Sequence, residues 1–384
     1  MTDTFTGLTN EEIARYSRHL LIPEVGAEGQ RKLKQASVLL IGAGGLGSPA
    51  ALYLAAAGIG RIGLVDQDTV DSSNLQRQIL HGTSQMGRAK VDSGRERLLD
   101  LNPFIQIDPY QEVFQAANAE QIAEEYDLIL DGSDNFSTRY LANDLCVKTE
   151  KPYIFGAVFR FEGQVSVFDA HHGPCYRCVF PNPPLPGSVP SCAEAGVLGV
   201  VPGIIGTIQA AEAIKLILGA GEPLYARMIL FDALEMSFRE VRLKKNPRCQ
   251  VCGIDRNAIQ LTDFNIVCSE PKSTSSLGAQ TEITPQDLHE WMLMGKRFRL
   301  IDIREEGELQ ISRLPGAEWI PYDTLMRQMI HMDKDAPVII FCRSGVRSMR
   351  MVDQMLKAGF KDVRHLVGGI NAWAKMIDPT MRIY

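Results

Sequence analysis

No polybasic run breaks the chain, and 40 lysines and arginines against 46 acidic residues leave a net charge of -6, which argues against nucleic acid as a main partner. Residues 1–20 lack an apolar h-region and carry Asp3, Glu11 and Glu12, so no signal peptide is expected there. Long hydrophobic runs are scarce too. The most apolar stretch, Val197 to Leu218, is interrupted by Pro202, Gln209, Glu212 and Lys215, which predicts a buried loop and helix and no membrane span. Eight cysteines are too few for a disulfide scaffold in 384 residues. These scarcities point to a reducing, cytoplasmic setting with neither membrane nor nucleic acid as partner. The length suggests two to three domains, and 45% hydrophobic with 22% charged residues is ordinary globular composition.

What the chain does contain is organised around Val38 to Asp66. An apolar, β-branched run (VLLIG) reads as a strand buried on both faces of a parallel sheet. Gly42, Gly44 and Gly47 follow with G-x-G-x-x-G spacing, and Gly45 adds a further glycine. The first allows a tight turn, the second admits a phosphate close to the backbone, and the third lets helix and strand pack closely. An alanine-rich helix then aims its N-terminal N–H groups at that phosphate. Asp66 closes the next strand about 20 residues on, the distance at which an acid meets a ribose hydroxyl.

Upstream, Glu11 to Leu20 reads as a helix capped by Thr9 or Asn10, with Arg15 and Arg18 as a solvated face. Downstream, a polar loop leads to Asn74, Arg77 and Gln78, and Lys90 follows. A strand ending in DGSDN sets Asp131 and Asp134 at its carboxyl end, where open parallel sheets bind ligands. An asparagine, an arginine and a lysine after the glycine turn, with a carboxylate at a later strand end, outline a site for ATP and Mg2+. Cys175 with Cys178, and Cys249 with Cys252, are two Cys-x-x-Cys pairs that suit a four-thiolate Zn2+ site, against a redox pair or plain buried cysteines. A full shell of four would make that zinc structural. Between the pairs, a proline-dense stretch reads as an extended loop carrying Cys192, as readily chemical as buried.

Linker composition around EPKSTSSLGAQ separates residues 1–255 from 281–384, with 256–280 between them. In the second part, the strand APVIIF runs into Cys342, Arg343, Ser344, Gly345, Val346 and Arg347, and a helix follows from Met349 to Lys357. A cysteine there sits among backbone N–H groups at a positive helix end, a setting for a thiolate or persulfide.

Residues 1 to about 255 closely resemble the molybdopterin-synthase adenylyltransferase branch of the ubiquitin-activating superfamily, through RYSRHLLIPEVG, GAGGLGSPAALYLAAAGIG, DTVDSSNLQRQ, GRAKV, DGSDN, PCYRC, SCAEAGV and PRCQVCG. Residues from about 281 onward resemble a rhodanese through IDIREEGE, LPGAEWIP, CRSGVRS and VGGINAW, the combination seen in fused adenylyltransferase and sulfurtransferase proteins. The implied fold is α/β: a Rossmann-like adenylyltransferase domain with a structural zinc site, then a small α/β rhodanese domain. The resemblance implies that Gly45 lines the ATP site and Asp66 holds the ribose. It places Ser73, Asn74, Leu75, Gln76, Arg77 and Lys90 at the nucleotide, with Asp134 acting through Mg2+ and Asn135 beside it. Arg18 is implied to act in the neighbouring subunit of a homodimer, Cys192 to be a crossover-loop thiol, and Cys342 to carry the persulfide. The implied partners are a small ubiquitin-like sulfur carrier protein ending in Gly-Gly and a sulfur donor, a cysteine desulfurase or thiosulfate. One departure stands out: Ser312 and Arg313 replace the Gly-His of many rhodaneses ahead of Leu314, Pro315, Gly316 and Ala317. Two rival readings are an NAD-dependent oxidoreductase, which the glycine motif and Asp66 alone would fit, and a non-catalytic scaffold binding a ubiquitin-like partner.

Overall fold

Strand β1 (Ser37–Ile41) is the middle one of the five parallel strands in an eight-stranded sheet ordered β3-β2-β1-β4-β5-β6-β7-β8. Its partners are β2 (Arg61–Val65), β3 (Gln106–Tyr110), β4 (Leu128–Asp131), β5 (Tyr153–Phe159), β6 (Glu162–Phe168), β7 (Arg227–Asp232) and β8 (Ser237–Arg242). The first five in spatial order through β5 are parallel, and β6 to β8 form an antiparallel meander. The computed structural model describes residues 7–184, 196–264 and 281–384. Contacts divide the chain into two units, Met1–Cys268 and Ser269–Tyr384.

The unbroken apolar run of β1 has a direct cause. Val38 and Leu40 face one core with Leu54, Ile62 and Ile205, while Leu39 and Ile41 face another with Tyr140 and Phe155. Period-two alternation between two cores leaves no face for polar residues. The chain leaves β1 on one side toward β2 and β3 and on the other toward β4, so a crevice opens at the carboxyl ends of β1 and β4.

The apolar helix Val200–Leu218 is long and apolar enough to cross a membrane by composition. Here it packs against the sheet and the helix Gly47–Ala57, with Val201, Ile205, Ala210 and Ala213 buried. Its Gln209 donates to the carbonyls of Asp131 and Ile154, and Glu212 accepts from Leu224 N–H, so its interior polar groups serve the fold.

The expected single helix over residues 11–20 is two short ones, Asn10–Arg15 and Ser17–Leu20. Thr9 caps the first in a reciprocal box with Glu12. The break falls at Tyr16, whose buried ring sits against Gly58 and whose hydroxyl accepts from Asn102.

In the second unit, five parallel strands are ordered β11-β10-β12-β13-β9: β9 (Glu282–Ile283), β10 (Arg299–Asp302), β11 (Glu318–Trp319), β12 (Val338–Phe341) and β13 (Val363–Leu366). Strand β12 repeats the logic of β1, with Val338 and Ile340 in one core and Ile339 and Phe341 in the other. The helix after it runs Val346–Lys357, starting ahead of the expected Met349, which puts Arg347 in its first turn.

Candidate functional sites

Two glycines of the turn after β1 are sterically required. Gly42 has φ +94°, and a Cβ there would lie 2.9 Å from the backbone of Gly132; a Cβ on Gly47 would lie 1.9 Å from the carbonyl oxygen of Gly42. Asp66 braces the turn, its two carboxylate oxygens each accepting at 2.9 Å from Ala43 N–H and Asp68 N–H. Burial raises its pKa, opposed by the Lys90 charge and those two backbone donors. A carboxylate offers about four lone-pair sites, so Asp66 keeps capacity for a ribose hydroxyl. Lys90, buried at the start of the helix Lys90–Leu101, lies 2.9 Å from Asp68 and 3.9 Å from Asp66.

Arg77 passes beside Gly45 and donates to the Ser73 carbonyl at 3.1 Å, while Ser73 itself is held by Asp71. Asn74 and Leu75 are half-buried and Gln76 is exposed in the same segment. Ser48 Oγ, Gln78 Oε1 and Ser133 Oγ are buried without a hydrogen-bond partner, and all three residues adjoin the glycine turn or its β4 neighbour. Orphaned polar atoms around a cradle of backbone N–H groups fit a polar, phosphate-bearing ligand.

The two acids after β4 separate in role. Asp131 is fully buried, accepting from Ser133 N–H and the Tyr153 hydroxyl, so it is a fold residue. Asp134 is exposed at the crevice, and Asn135 caps the helix Phe136–Thr149 through Thr138 N–H. Arg18 is exposed on the helix Ser17–Leu20, whereas Arg15 is engaged with the Leu101 carbonyl and the Phe104 ring. Cys192 lies outside the described residues.

Cys175, Cys178, Cys249 and Cys252 converge with all four sulfurs within 4.8 Å of one another. Neighbouring Sγ atoms are 3.4 to 3.9 Å apart. Tetrahedral thiolates about 2.3 Å from zinc would stand about 3.8 Å apart, so the donor set fits such an ion. Val147, Val251, Ile259 and Leu261 surround the sulfurs. Hydrogen bonding inside the cluster pushes the Cys252 thiol down and the Cys175 thiol up.

In the second unit Cys342 is buried at the end of β12, its sulfur accepting from Gly345 N–H at 3.2 Å and lying 3.6 Å from Ser348 Oγ. Gly345 has φ +95° and opens the following helix. Arg347 is locked to Glu308 by two hydrogen bonds of 2.8 and 2.6 Å. Burial alone would raise the Glu308 carboxyl, but the Arg347 pairing outweighs it and holds it below the usual carboxylate range. The Tyr384 hydroxyl bridges Glu308 and Arg304, and its carbonyl accepts from Arg343 and Asn371. Around the departure noted above, the Ser312 carbonyl accepts from Arg304, which also pairs with Asp302.

Residues 16–251 match the model of the ThiF family. The chain belongs to the ThiF family. Beyond the ThiF part, residues 284–376 match the rhodanese-like domain. The chain is 44% identical over its whole length to the probable adenylyltransferase/sulfurtransferase MoeZ of Mycobacterium tuberculosis, covering 98% of that protein. It is 41% identical to the adenylyltransferase and sulfurtransferase MOCS3 of Drosophila yakuba, over 99% of this chain and 86% of that one. Among solved structures, E. coli MccB with MccA-N7isoASN shares 25% identity over 65% of this chain and 76% of that chain, with a TM-score of 0.57. This ThiF-family chain is an enzyme of the adenylyltransferase and sulfurtransferase class, with an ATP-binding fold. Sequence reasoning missed Asp68, His81, Glu308 and Tyr384, each defined by a partner on another element. Only Glu308 carried a signal, its place in IDIREEGE.

Proposed function

We propose that this chain activates the C-terminal glycine of a small ubiquitin-like sulfur carrier protein ending in Gly-Gly and converts it to a thiocarboxylate. The observation that carries this reading is the joining, in one chain, of a nucleotide turn braced by Asp66 beside Lys90 and a loop that holds Cys342 among backbone N–H groups.

A carboxylate is a poor electrophile because its oxygen leaves badly. In the first unit a carboxylate oxygen attacks the α-phosphorus of ATP, pyrophosphate leaves, and an acyl-adenylate with a good leaving group results. The N–H groups of the turn from Gly42 through Gly47, with Ser73 to Arg77 and Lys90, stabilise phosphate charge as it moves, while Asp66 takes the ribose. Asp134, exposed at the crevice, would hold Mg2+, which would supply further neutralisation of phosphate charge, with Asn135 beside it. Arg18, exposed on its helix, reaches the site of a second copy, so the working unit is a homodimer. Zn2+ held by the four cysteines would be structural, since four thiolates would leave it no open position.

In the second unit, the Cys342 thiol attacks the outer sulfur of a cysteine desulfurase persulfide or of thiosulfate, the desulfurase thiol or sulfite leaves, and Cys342 becomes a persulfide. Its terminal sulfur attacks the acyl carbon, AMP leaves, and an acyl disulfide joins carrier to enzyme. A thiol then attacks the Cys342 sulfur and releases the thiocarboxylate; that thiol is Cys192, giving a Cys192–Cys342 disulfide, or an external reductant. Cys192 has the alternative role of taking the acyl group as a thioester before sulfur arrives. All these thiols belong in a reducing cytoplasm.

The test incubates the full chain with ATP, Mg2+, thiosulfate, a dithiol and candidate Gly-Gly carriers from the same genome, then weighs each carrier. Replacement of one oxygen by sulfur is expected. No change in any carrier would sink the reading.

A further inference from the structure

Behind the glycine turn a buried polar chain joins it to the helix that carries Lys90. His81 is 7% exposed, with Nε2 3.0 Å from the Ala43 carbonyl oxygen and Nδ1 2.9 Å from Ser93 Oγ. A carbonyl only accepts, so Nε2 bears the proton and donates, and Nδ1 accepts from the Ser93 hydroxyl. Burial, reinforced by the Lys90 charge, holds the imidazole below its ordinary pKa, so the neutral ring with this one tautomer is the resident form.

Ala43 is thereby held from both sides. Its N–H donates to Asp66 and its C=O accepts from His81. The second contact governs the peptide linking Ala43 to Gly44. In a trans peptide the N–H points opposite to the C=O, so drawing the carbonyl inward onto His81 turns Gly44 N–H outward. Among the described residues, that N–H donates to no backbone acceptor. Ser93 sits one turn along the same helix from Lys90, so one helix start sets both the imidazole and the lysine.

We propose that His81 is a positioning residue for adenylation: by holding the Ala43 carbonyl it aims Gly44 N–H at the nucleotide phosphates, with Ser93 fixing the ring. The inference rests on the nucleotide reading above and concerns a residue outside every contact assigned there.

The test titrates the full chain with ATP and Mg2+ by calorimetry, so no carrier protein is needed. His81→Leu removes the donor, His81→Gln restores an amide N–H at similar reach, and Ser93→Ala frees the tautomer. His81→Leu should weaken ATP binding about tenfold, the scale of one lost N–H to phosphate hydrogen bond, while His81→Gln stays within about threefold of the unmodified chain. Ser93→Ala should weaken binding by a smaller factor. A role in packing alone would lower thermal stability in all three with no rescue by glutamine. Wild-type affinity in a folded His81→Leu, or equal losses in the leucine and glutamine variants, overturns the proposal. Should His81→Leu not fold, weakened binding in Ser93→Ala beside near-normal binding in His81→Gln supports it, and unweakened Ser93→Ala overturns it. Failure of the unmodified chain to bind ATP is a separate outcome that overturns the nucleotide reading itself.

Discussion

Truncating Glu308 to alanine should destabilise the second unit more than any surface change, because it strands the Arg347 guanidinium. The two side chains are only 14% and 17% exposed and share two short hydrogen bonds. Breaking a buried pair from one side costs about 3–5 kcal/mol, and the remaining access to water places this one near the lower end, at about 3 kcal/mol. In a unit of roughly 100 residues that is a drop in Tm on the order of 15 °C. Glu308→Gln keeps the shape and loses the charge, so its loss should be smaller. The assay is built into the sequence. Trp291, Trp319 and Trp373 are the chain's only tryptophans and all lie in the second unit, so their fluorescence in urea follows that unit within the intact chain. Acid gives the same interaction a second reading. Since the folded Glu308 carboxyl titrates below its unfolded value of about 4.3, its contribution is complete above that pH and is lost as pH falls through the depressed folded value. The unmodified unit should therefore weaken below about pH 4, and Glu308→Gln should flatten that dependence. An unshifted urea midpoint in Glu308→Ala, or an unaltered acid profile in Glu308→Gln, would refute the reasoning.

Cys342→Ala should abolish carrier sulfuration yet leave carrier-dependent ATP–pyrophosphate exchange intact; loss of both would deny the division of labour between the units. Lys90→Ala and Arg18→Ala should each abolish exchange, and mixing the two variants should restore part of it, since a mixed dimer has one site with its own lysine and its partner's arginine. Persistently inactive mixtures at concentrations that dimerise would exclude an arginine supplied in trans. Metal analysis should find one zinc per chain, and Cys249→Ser should lower zinc content and the melting temperature of the first unit; a metal-free chain of full stability would contradict a structural ion.

The parts of the fold that were legible in the sequence are those whose causes are local. The run of β1 reads as a buried strand because alternate residues enter two cores, and the glycine spacing reads as a turn because Gly42 and Gly47 have no room for a Cβ. The cysteine pairs read as one cluster because the Cys-x-x-Cys spacing presents two sulfurs together, and two such pairs complete one tetrahedron. What escaped was fixed by residues distant in sequence. Glu308 meets Arg347 across 39 positions, and His81 meets Ala43 across 38. The break at Tyr16 was equally hidden, since the ring's place beneath Gly58 and its bond from Asn102 depend on tertiary packing. The helix after Cys342 starts earlier than its apolar pattern because Gly345, at φ +95°, turns the chain straight from strand into helix.

That last feature links the two sites, because both units solve one physical problem alike. A central parallel strand ends, a glycine near φ +95° reverses the chain, and a helix begins with its N–H groups facing the strand end: β1, Gly42 and Gly47–Ala57 in one unit, β12, Gly345 and Val346–Lys357 in the other. Each makes a place for negative charge without placing a cation at its centre. The difference is what fills it. After β1 the turn carries no charged side chain, and a Cβ at Gly47 would strike the Gly42 carbonyl, so the charge is left to a diffusible guest. After β12 the sulfur of Cys342 already occupies the cradle, accepting from Gly345 N–H, so the occupant there is covalently attached. A diffusible occupant suits a phosphate that must leave as AMP, and a tethered one suits a sulfur that must stay until it is transferred. On the proposed function, the same geometry, filled in two ways, would supply the leaving group and the nucleophile of a single acyl exchange.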